Sequence, residues 1–543
     1  MISLRKHTSH QKHTSLENEL SHRHRIWLVC IGAATGLVAG LAVTLYRLAL
    51  AQAEQLMRSF TTELGKSALG ILIWFVVLAL ILLVVGLLIH KVPLTAGSGI
   101  PQVEAEVAGT IQAPWLRILP TKFVEGVLCS FGGLSLGREG PSIQIGGMAA
   151  KLVSKLTRTN RGEERILITC GAASGMAAAF HAPFTGVMFA LEEIHKVFSA
   201  PVIVSVMVAS VMADLLSSIL MGDHLVLSLT FIADLPPSAY ISVAILGVIA
   251  GLLGALHNAG MFKMQDLFDR ITWVKPYAKL IPAFLMSGIA AFTIPQLLCG
   301  GDAIIQLLER GYVTPINVLV VLLIGKYLLT AICFGSGAPG GTLLPLVVMG
   351  ALIGSIYGIC VTDVTAIPSV YVVNYTVLGV ASLFAGVVRA PITGIVLAFE
   401  LTGSLDSLLA ASLVSIIAYV TSDLIGVDAF YEHLLGRIDI SESNQTEKNL
   451  EEDEQRGVFH RHVVGAGSKA EGRLIKELVL PEHMLIVMIT RSGKELVPQG
   501  STRLKALDQL LVLEDAEFEI EQEQMLKEIC MPSLEETSSV TPT

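Results

Sequence analysis

One stretch of this chain occurs twice, about two hundred residues apart. Residues 171–192 read GAASGMAAAFHAPFTGVMFALE, and residues 379–400 read GVASLFAGVVRAPITGIVLAFE. At a constant offset of 208, ten of the 22 positions are identical: Gly171/Gly379, Ala173/Ala381, Ser174/Ser382, Ala177/Ala385, Ala182/Ala390, Pro183/Pro391, Thr185/Thr393, Gly186/Gly394, Ala190/Ala398 and Glu192/Glu400. A bias toward small residues supplies roughly two or three such matches, so chance does not account for them. A short period predicts a solenoid or propeller. A period this long in an apolar chain predicts two homologous halves, the plan of many secondary transporters, in which the substrate binds between the halves.

The chain is apolar enough for a membrane. It has 543 residues, 52% of them hydrophobic and 15% charged, with a mean hydropathy of +0.66. Long apolar stretches cover 26–50, 68–90, 201–221, 240–262, 278–297, 315–333 and 407–426, each near or above the roughly 20 residues that span a bilayer. Others are shorter and interrupted by glycine or proline: 123–135, 142–155, 166–180, 184–200, 342–361 and 376–400. Lipid tolerates broken helices only where protein or a water-filled cavity satisfies the freed backbone groups. The pattern therefore predicts tilted, partly re-entrant helices around a hydrophilic pathway.

Residues 1–25 carry Arg5, Lys6, Lys12, Arg23 and Arg25 against Glu17 and Glu19, and the apolar run behind them is too long for a cleaved signal. The positive-inside rule puts this tail in the cytoplasm. Its histidines (His7, His10, His13, His22, His24) lack the defined geometry of a metal site. The seven cysteines form no paired spacing, and six lie in apolar segments as small hydrophobes. No disulfide, metal or other cofactor is expected.

Polarity changes near residue 437. Residues 438–460 read as a linker with the acidic run Glu451, Glu452, Asp453 and Glu454. A small α/β module follows over 461–516, with a tail at 517–543. MLIVMIT (484–490) suits a strand, RSGK (491–494) a turn and ELVP (495–498) the return strand, with another strand within 504–515 and a helix over 469–480. GAGSKAEG (465–472) has no GxGxxG spacing and is not read as a dinucleotide site.

Three glycine-rich breaks carry the chemistry: GSGIP (97–101), GREGP (137–141) and GSGAPGGTLLP (335–345). Each predicts a helix N-terminus within the membrane, with free amides and a positive dipole end. Several such ends converging bind an anion without a fully buried cation; tight helix packing through small residues is the plainer alternative. Glu139, in the middle of GREGP, is a costly intramembrane carboxylate. Ionised, it can occupy the anion's place; protonated, it can withdraw. Arg138 either pairs locally or raises the potential. Glu192 has a counterpart in Glu400 and reads as structural, capping or hydrogen-bonding a helix. Glu193 has no acidic counterpart, which suits a residue recruited for function, although a solvated helix end remains the plainer reading of that segment alone.

GSGIP, GREGP followed by SIQIGG, AFHAPFTGVMFALEE and CFGSGAPGG together resemble the signature segments of the CLC family of chloride channels and proton-coupled chloride transporters, in order and spacing, from about residue 25 to 437. The resemblance implies an all-α polytopic membrane protein with two inverted homologous halves and broken intramembrane helices, spanning 26–437. It implies a chloride site formed by Ser98 and Gly99 of the first break, Arg138 and Gly140 of the second, the amides of Thr342 and Leu343, and the hydroxyl of Tyr431. Glu139 takes the place of the gating glutamate and Glu193 that of the internal proton relay. Leu343 stands where the family often has phenylalanine, and Ser98 matches the chloride-selecting members. The module at 461–516 resembles the TrkA-C domain, the C-terminal lobe of RCK-type regulators, which implies a cytoplasmic regulatory or dimerising domain with a possible small-molecule regulator.

These readings lead to proton-coupled chloride antiport, with chloride, protons and the lipid bilayer as partners, a homodimer, and both termini cytoplasmic in a multi-pass protein of the plasma or inner membrane. A passive chloride channel on the same fold is the alternative, disfavoured by retention of Glu193. A signalling receptor using the C-terminal module as output is remote. No enzyme motif and no nucleic-acid partner is indicated.

Overall fold

The computed structural model describes residues 3–222, 231–233, 235–271, 276–309, 314–438, 457–465, 467–478, 480, 484–491, 494–515, 526 and 529–530, with side chains from residue 24 onward except at 276, 309, 457–461, 494–495 and 513–515. These fall into two units, divided between Asp439 and Ile440.

In the first unit a series of eight helices is followed by eight more. The first series is α1 (Ser3–Leu64), α2 (Ala68–Lys91), α3 (Ile100–Ala108), α4 (Trp115–Phe131), α5 (Glu139–Thr157), α6 (Arg161–Phe180), α7 (Pro183–Phe189) and α8 (Ala200–Met221). The second is α9 (Ala239–Asp269), α10 (Ile281–Thr293), α11 (Asp302–Glu309), α12 (Ile316–Gly335), α13 (Leu343–Val364), α14 (Val372–Val388), α15 (Pro391–Thr402) and α16 (Ser407–Leu424). A short helix, α17, covers 430–438. The repeated stretch is thus α6–α7 in one half and α14–α15 in the other. Among the described residues eight helices are long and apolar enough to cross a membrane.

Glycine lets the halves pack their innermost helices at backbone contact. A Cβ on Gly146 of α5 would lie 2.2 Å from the Gly171 carbonyl oxygen of α6, and one on Gly350 of α13 would lie 2.7 Å from the Gly379 carbonyl oxygen of α14. Without a hydrophobic force between helices in lipid, such close approach supplies the dispersion contact that holds them.

The repeat is also tied across itself. Glu192, at the end of the first half's repeated stretch, accepts from the Thr393 amide at 2.9 Å, the Thr393 hydroxyl at 2.8 Å and the Ile392 amide at 3.2 Å. Glu400 accepts from the Thr185 amide at 2.7 Å, the Thr185 hydroxyl at 2.5 Å and the Phe184 amide at 2.8 Å. Each carboxylate caps the start of the other half's short helix, where proline at the first position leaves the next amides free. The structural reading of Glu192 is borne out, with the cap lying in the opposite half.

Three expectations are corrected. The stretches 142–155, 166–180 and 342–361, expected to be broken, belong to the unbroken helices α5, α6 and α13, whose glycines pack helix against helix. The stretch 278–297, expected to span, holds only the 13-residue α10 between 3-10 turns at Pro276–Leu280 and Pro295–Leu297, each opened by a proline. The tail expected at 1–25 is continuous in backbone with α1, which starts at Ser3; the side chains of His7, His10, His13 and His22 lie outside those described.

The second unit is a four-stranded antiparallel sheet in the order β1 (Gly457–Val463), β4 (Gln509–Asp515), β2 (Leu485–Arg491), β3 (Lys494–Leu496). Ile486, Ile489, Leu510, Val512 and Leu504 form its core. β1 begins inside the stretch read as linker; 439–456, with its acidic run, lies outside the described residues, as do Ser492 and Gly493 of the expected turn. The helix expected over 469–480 is absent but for a 3-10 turn at Ile475–Glu477. Instead this segment bonds its backbone to 500–504: the Gly472 amide to the Leu504 carbonyl at 2.9 Å, and the Ile475 amide to the Thr502 carbonyl at 3.0 Å. Gly472, at φ +77°, turns the chain out of any helix there. Asp508 anchors the loop before β4, accepting from Arg491 at 2.7 and 2.6 Å and from the Lys505 amide at 2.8 Å.

Candidate functional site

The three glycine-rich breaks all precede helices. GSGIP leads into α3 with Gly99 at φ +98° as its cap, GREGP into α5 with Arg138 as cap and Glu139 as first residue, and GSGAPGGTLLP into α13 with Thr342 as cap and Leu343 as first residue. The breaks also hold one another. The Gly97 amide donates to the Gly337 carbonyl at 3.2 Å, and the Gly340 amide to the Gly97 carbonyl at 3.0 Å. Gly137 and Gly341 exchange a pair of backbone bonds at 2.6 and 2.8 Å, a two-residue β-bridge in the middle of a helical protein. A Cβ on Gly137, Gly340 or Gly341 would lie 2.3–2.9 Å from a neighbouring atom, and Gly97 and Gly337 sit at φ +67° and +80°, conformations that favour glycine.

Around this junction the predicted residues assemble. Glu139 is fully buried, and its Oε2 accepts from the amide of Leu344, in the first turn of α13, at 3.2 Å. A carboxylate thus sits on the positive end of a helix, the kind of place that binds anions. Ser98 lies against Gly140, where a Cβ would come within 2.4 Å of its hydroxyl. Among the described residues the buried Ser98 hydroxyl has no hydrogen-bond partner, so its proton is free for an anion. Tyr431, on α17, is buried edge-on against Phe189 of α7 at 5.9 Å, and it interacts with the side chain of Thr342 and electrostatically with Glu139 and Glu193. α17 is held in place by His433 stacked on Phe262 at 3.8 Å and by Arg437 paired with Asp266 at 3.0 Å and Asp269 at 2.5 Å. Arg138 lies at the edge of the site, its Nε 3.9 Å from Glu139 and its Nη2 3.9 Å from Asp302.

Glu193 stands apart from this junction. It lies in a π-helical turn, Ala190–His195, that continues α7, and its neighbours include Glu104, Lys196, Glu192 and Glu432. The wider turn aims a side chain that an α-helix would carry elsewhere, and π-turns recur at functional positions. Glu193 lines a cavity of about 530 Å³ together with Lys196, Arg389, Asp423, Asp428 and Glu432. The buried Glu104 of α3 pairs with Lys196 at 2.6 Å.

Several residues of the site were not anticipated. Leu344, one place beyond the expected Thr342 and Leu343, supplies the amide that meets Glu139. Lys122, fully buried on α4, donates to the carbonyls of Thr95 and Gly97 at 2.7 Å each, bracing the loop that carries Ser98. Lys326 on α12 does the same in the second half, donating to the carbonyls of Leu297 at 3.1 Å and Cys299 at 2.7 Å. A lysine inside an apolar run is a legible signal of such a role.

Residues 81–423 match the family model described as voltage gated chloride channel. The chain belongs to that family. Residues 459–516 match the TrkA-C domain that the sequence resembled. Among CLC relatives, the H+/Cl− exchange transporter ClcA of Vibrio cholerae is 32% identical over 415 residues, covering 74% of this chain and 87% of that protein. That of Yersinia pseudotuberculosis is 30% identical over 440 residues, covering 78% and 91%. The crystal structure of a slow cyanobacterial Cl−/H+ antiporter superposes with a TM-score of 0.71 at 28% identity, covering 76% of this chain and 98% of that one.

Proposed function

We propose that this protein exchanges chloride for protons across a membrane, with Glu139 as the gate, Glu193 as the internal proton relay, and Ser98, Gly99, Arg138, Gly140, Thr342, Leu343 and Tyr431 around the chloride path. The observation that carries the reading is the Glu139 carboxylate bonded to the Leu344 amide at the start of α13. A carboxylate there competes with chloride for the same donors. Protonation cancels its charge and weakens the bond, since hydrogen bonds to charged groups are roughly twice as strong as neutral ones. The neutral side chain leaves, chloride takes its place, and the same event loads a proton. Each passage of the gate thereby links an anion to a proton. Relatives that are H+/Cl− exchange transporters, and a solved antiporter of the same fold, support the assignment.

Glu193 supplies the other end of the proton route. It borders a polar cavity, and Tyr431 interacts electrostatically with both Glu193 and Glu139. The basic N-terminal stretch supports an orientation with both termini in the cytoplasm of a cell-membrane protein. Exposed apolar side chains on α8 and α16, such as Ile219 and Leu409, suit lipid or a second copy, in keeping with a homodimer. The TrkA-C unit is assigned to regulation by a small molecule. The test is reconstitution of the purified protein: an outward chloride gradient should drive protons uphill into vesicles. Chloride movement with no proton movement would make the protein a passive channel.

A further inference from the structure

Beyond the gate itself lies an acidic residue that the transport reading leaves without a role. Asp302 opens α11 and lines a cavity of about 40 Å³ with Gly137, Arg138, Glu54 and Leu344, next to the buried Glu139. This cavity is on the side where α1 ends. His24, at the other end of α1's apolar run, pairs with Glu163 at the start of α6, so Glu54 marks the opposite face. With the N-terminus cytoplasmic, the cavity opens outward.

Arg138 stands between two carboxylates here, 3.9 Å from Asp302 on one side and 3.9 Å from Glu139 on the other. Neither distance is a hydrogen bond. Its buried Nε has no hydrogen-bond partner among the described residues. Asp302 is also close enough to act on Glu139 directly. Its position is built rather than incidental. Gly301 turns the chain at φ +100°, and Lys326 grips the carbonyls of Leu297 and Cys299 just before it.

We infer that Asp302 is a positioning residue of the outer gate: it draws Arg138 away from Glu139 and so sets how much acid is needed to open the exchange pathway. The inference rests on the antiport reading above. The remaining charged and titratable groups near the gate leave this to Asp302. On α1, Arg47 is bonded to the Ala178 carbonyl and to Ser217, and Glu54 is bonded to Arg58 at 2.7 Å. Tyr46 of α1 and Tyr431 of α17 are phenols, and Cys129 of α4 and Cys299 are thiols, buried and uncharged near neutral pH. Lys122 and Lys326 are tied to carbonyls, with Glu125 beside Lys122. Removing the charge of Asp302 leaves Arg138, 3.9 Å from Glu139, to favour the ionised carboxylate, so more acid is required to neutralise it.

The experiment uses full-length protein in vesicles, with chloride-driven proton exchange followed against external pH for wild type, Asp302→Asn and Asp302→Glu. Asparagine keeps the helix-start preference of aspartate. The expected result is a half-maximal pH moved toward acid by about one unit in Asp302→Asn, restored by Asp302→Glu, with chloride KM changed less than about twofold. An unmoved pH midpoint overturns the inference, and a change confined to chloride KM does so too, since Asp302 would then act only on the anion's approach. If Asp302→Asn does not assemble, Asp302→Ser is read in its place, and failure of both overturns the inference in favour of a folding role. Wild-type vesicles that move chloride without protons would instead overturn the antiport reading, and this inference with it.

Discussion

The reciprocal caps make a quantitative prediction about what joins the two halves. Glu400→Ala removes three hydrogen bonds, of 2.5 to 2.8 Å, from the start of α7. Two amides and a hydroxyl lose their acceptor, one amide exposed and the other two groups partly buried. A hydrogen bond to a charged group contributes about 1.5–3 kcal/mol, and the helix dipole about 0.3–1 kcal/mol more. These terms are not additive, and the neighbouring Ser210 hydroxyl, bonded to the Pro183 carbonyl, keeps part of the turn in place. A loss of about 3–5 kcal/mol is expected. With an unfolding entropy of about 2 cal/mol/K per residue over some four hundred residues, that lowers Tm by roughly 4–6 °C. Glu192→Ala should cost somewhat less, because its bonds to α15 are longer, at 2.8 to 3.2 Å. The measurement is thermal unfolding of purified protein in detergent at one scan rate, with Glu63→Ala as control. Among the described residues Glu63 pairs only with Lys66, and both are more than half exposed, so its loss should leave Tm within about 1 °C. If both cap variants melt like the control, the carboxylates do not hold the halves together. If Glu192→Ala keeps its Tm but loses proton flux, Glu192 belongs to the proton route and not to the scaffold.

Glu139→Gln should keep chloride flux while abolishing proton coupling; losing one charge-assisted bond, about 1.5–3 kcal/mol, favours the withdrawn state roughly 10- to 150-fold, and vesicle flux with a pH electrode reads both ions. Ser98→Pro should raise nitrate flux relative to chloride, because it removes a buried hydroxyl that has no hydrogen-bond partner among the described residues and lies against Gly140; unchanged relative fluxes would take selectivity away from Ser98. Deleting 445–543 should leave transport in a folded protein and alter its regulation, since every assigned pathway residue precedes the cut; a folded truncation that transports nothing would make the tail part of the machinery. In the TrkA-C unit, burial pushes the Asp508 pKa up, but the Arg491 guanidinium and the Lys505 amide outweigh it and hold the carboxyl below its usual range. Its stabilising effect is therefore complete above about pH 4 and is lost as pH falls through the depressed folded-state value. Hydrogen exchange across β2 and β4 in the full-length protein should quicken over that acid window, and should not do so in Asp508→Asn, which lacks the titrating group.

Much of the site was legible because its chemistry is local. A helix start needs glycine, proline and free amides in consecutive positions, so GSGIP, GREGP and GTLLP announce α3, α5 and α13 without reference to the rest of the chain. What the sequence could not show is which amide meets which side chain. The Glu139 carboxylate meets the amide of Leu344, not of Leu343, at the junction that the Gly137–Gly341 bridge holds together. The same holds in the C-terminal unit. Residues 469–480 have helical composition, but Gly472 and pairing with 500–504 override that weak preference. The span expected at 278–297 failed for a related reason: hydropathy counts apolar residues and is blind to prolines at 276, 282 and 295 that cut the helix short.

The repeat separates scaffold from chemistry. Where the halves agree, the shared residue holds the fold: Glu192 and Glu400 cap each other's partners, and Lys122 and Lys326 each grip two carbonyls of the preceding loop. Where the halves differ at equivalent places, the difference falls on the proposed transport path. Glu139, first residue of α5, faces Leu343, first residue of α13. Glu193 has Leu401 at the repeat offset of 208. Asp302, first residue of α11, corresponds to Ile100, first residue of α3. A symmetric scaffold binds an ion at its centre, but a symmetric set of carboxylates would give the proton the same affinity on both faces and no order of events. On the proposed reading, breaking the symmetry with acids at these places, against apolar residues in the other half, would make one face open through Glu139 and the other admit protons through Glu193. A scan that exchanges residues between equivalent positions should therefore spare folding at Leu343 and Leu401 while disturbing coupling. At the two caps it should do the reverse.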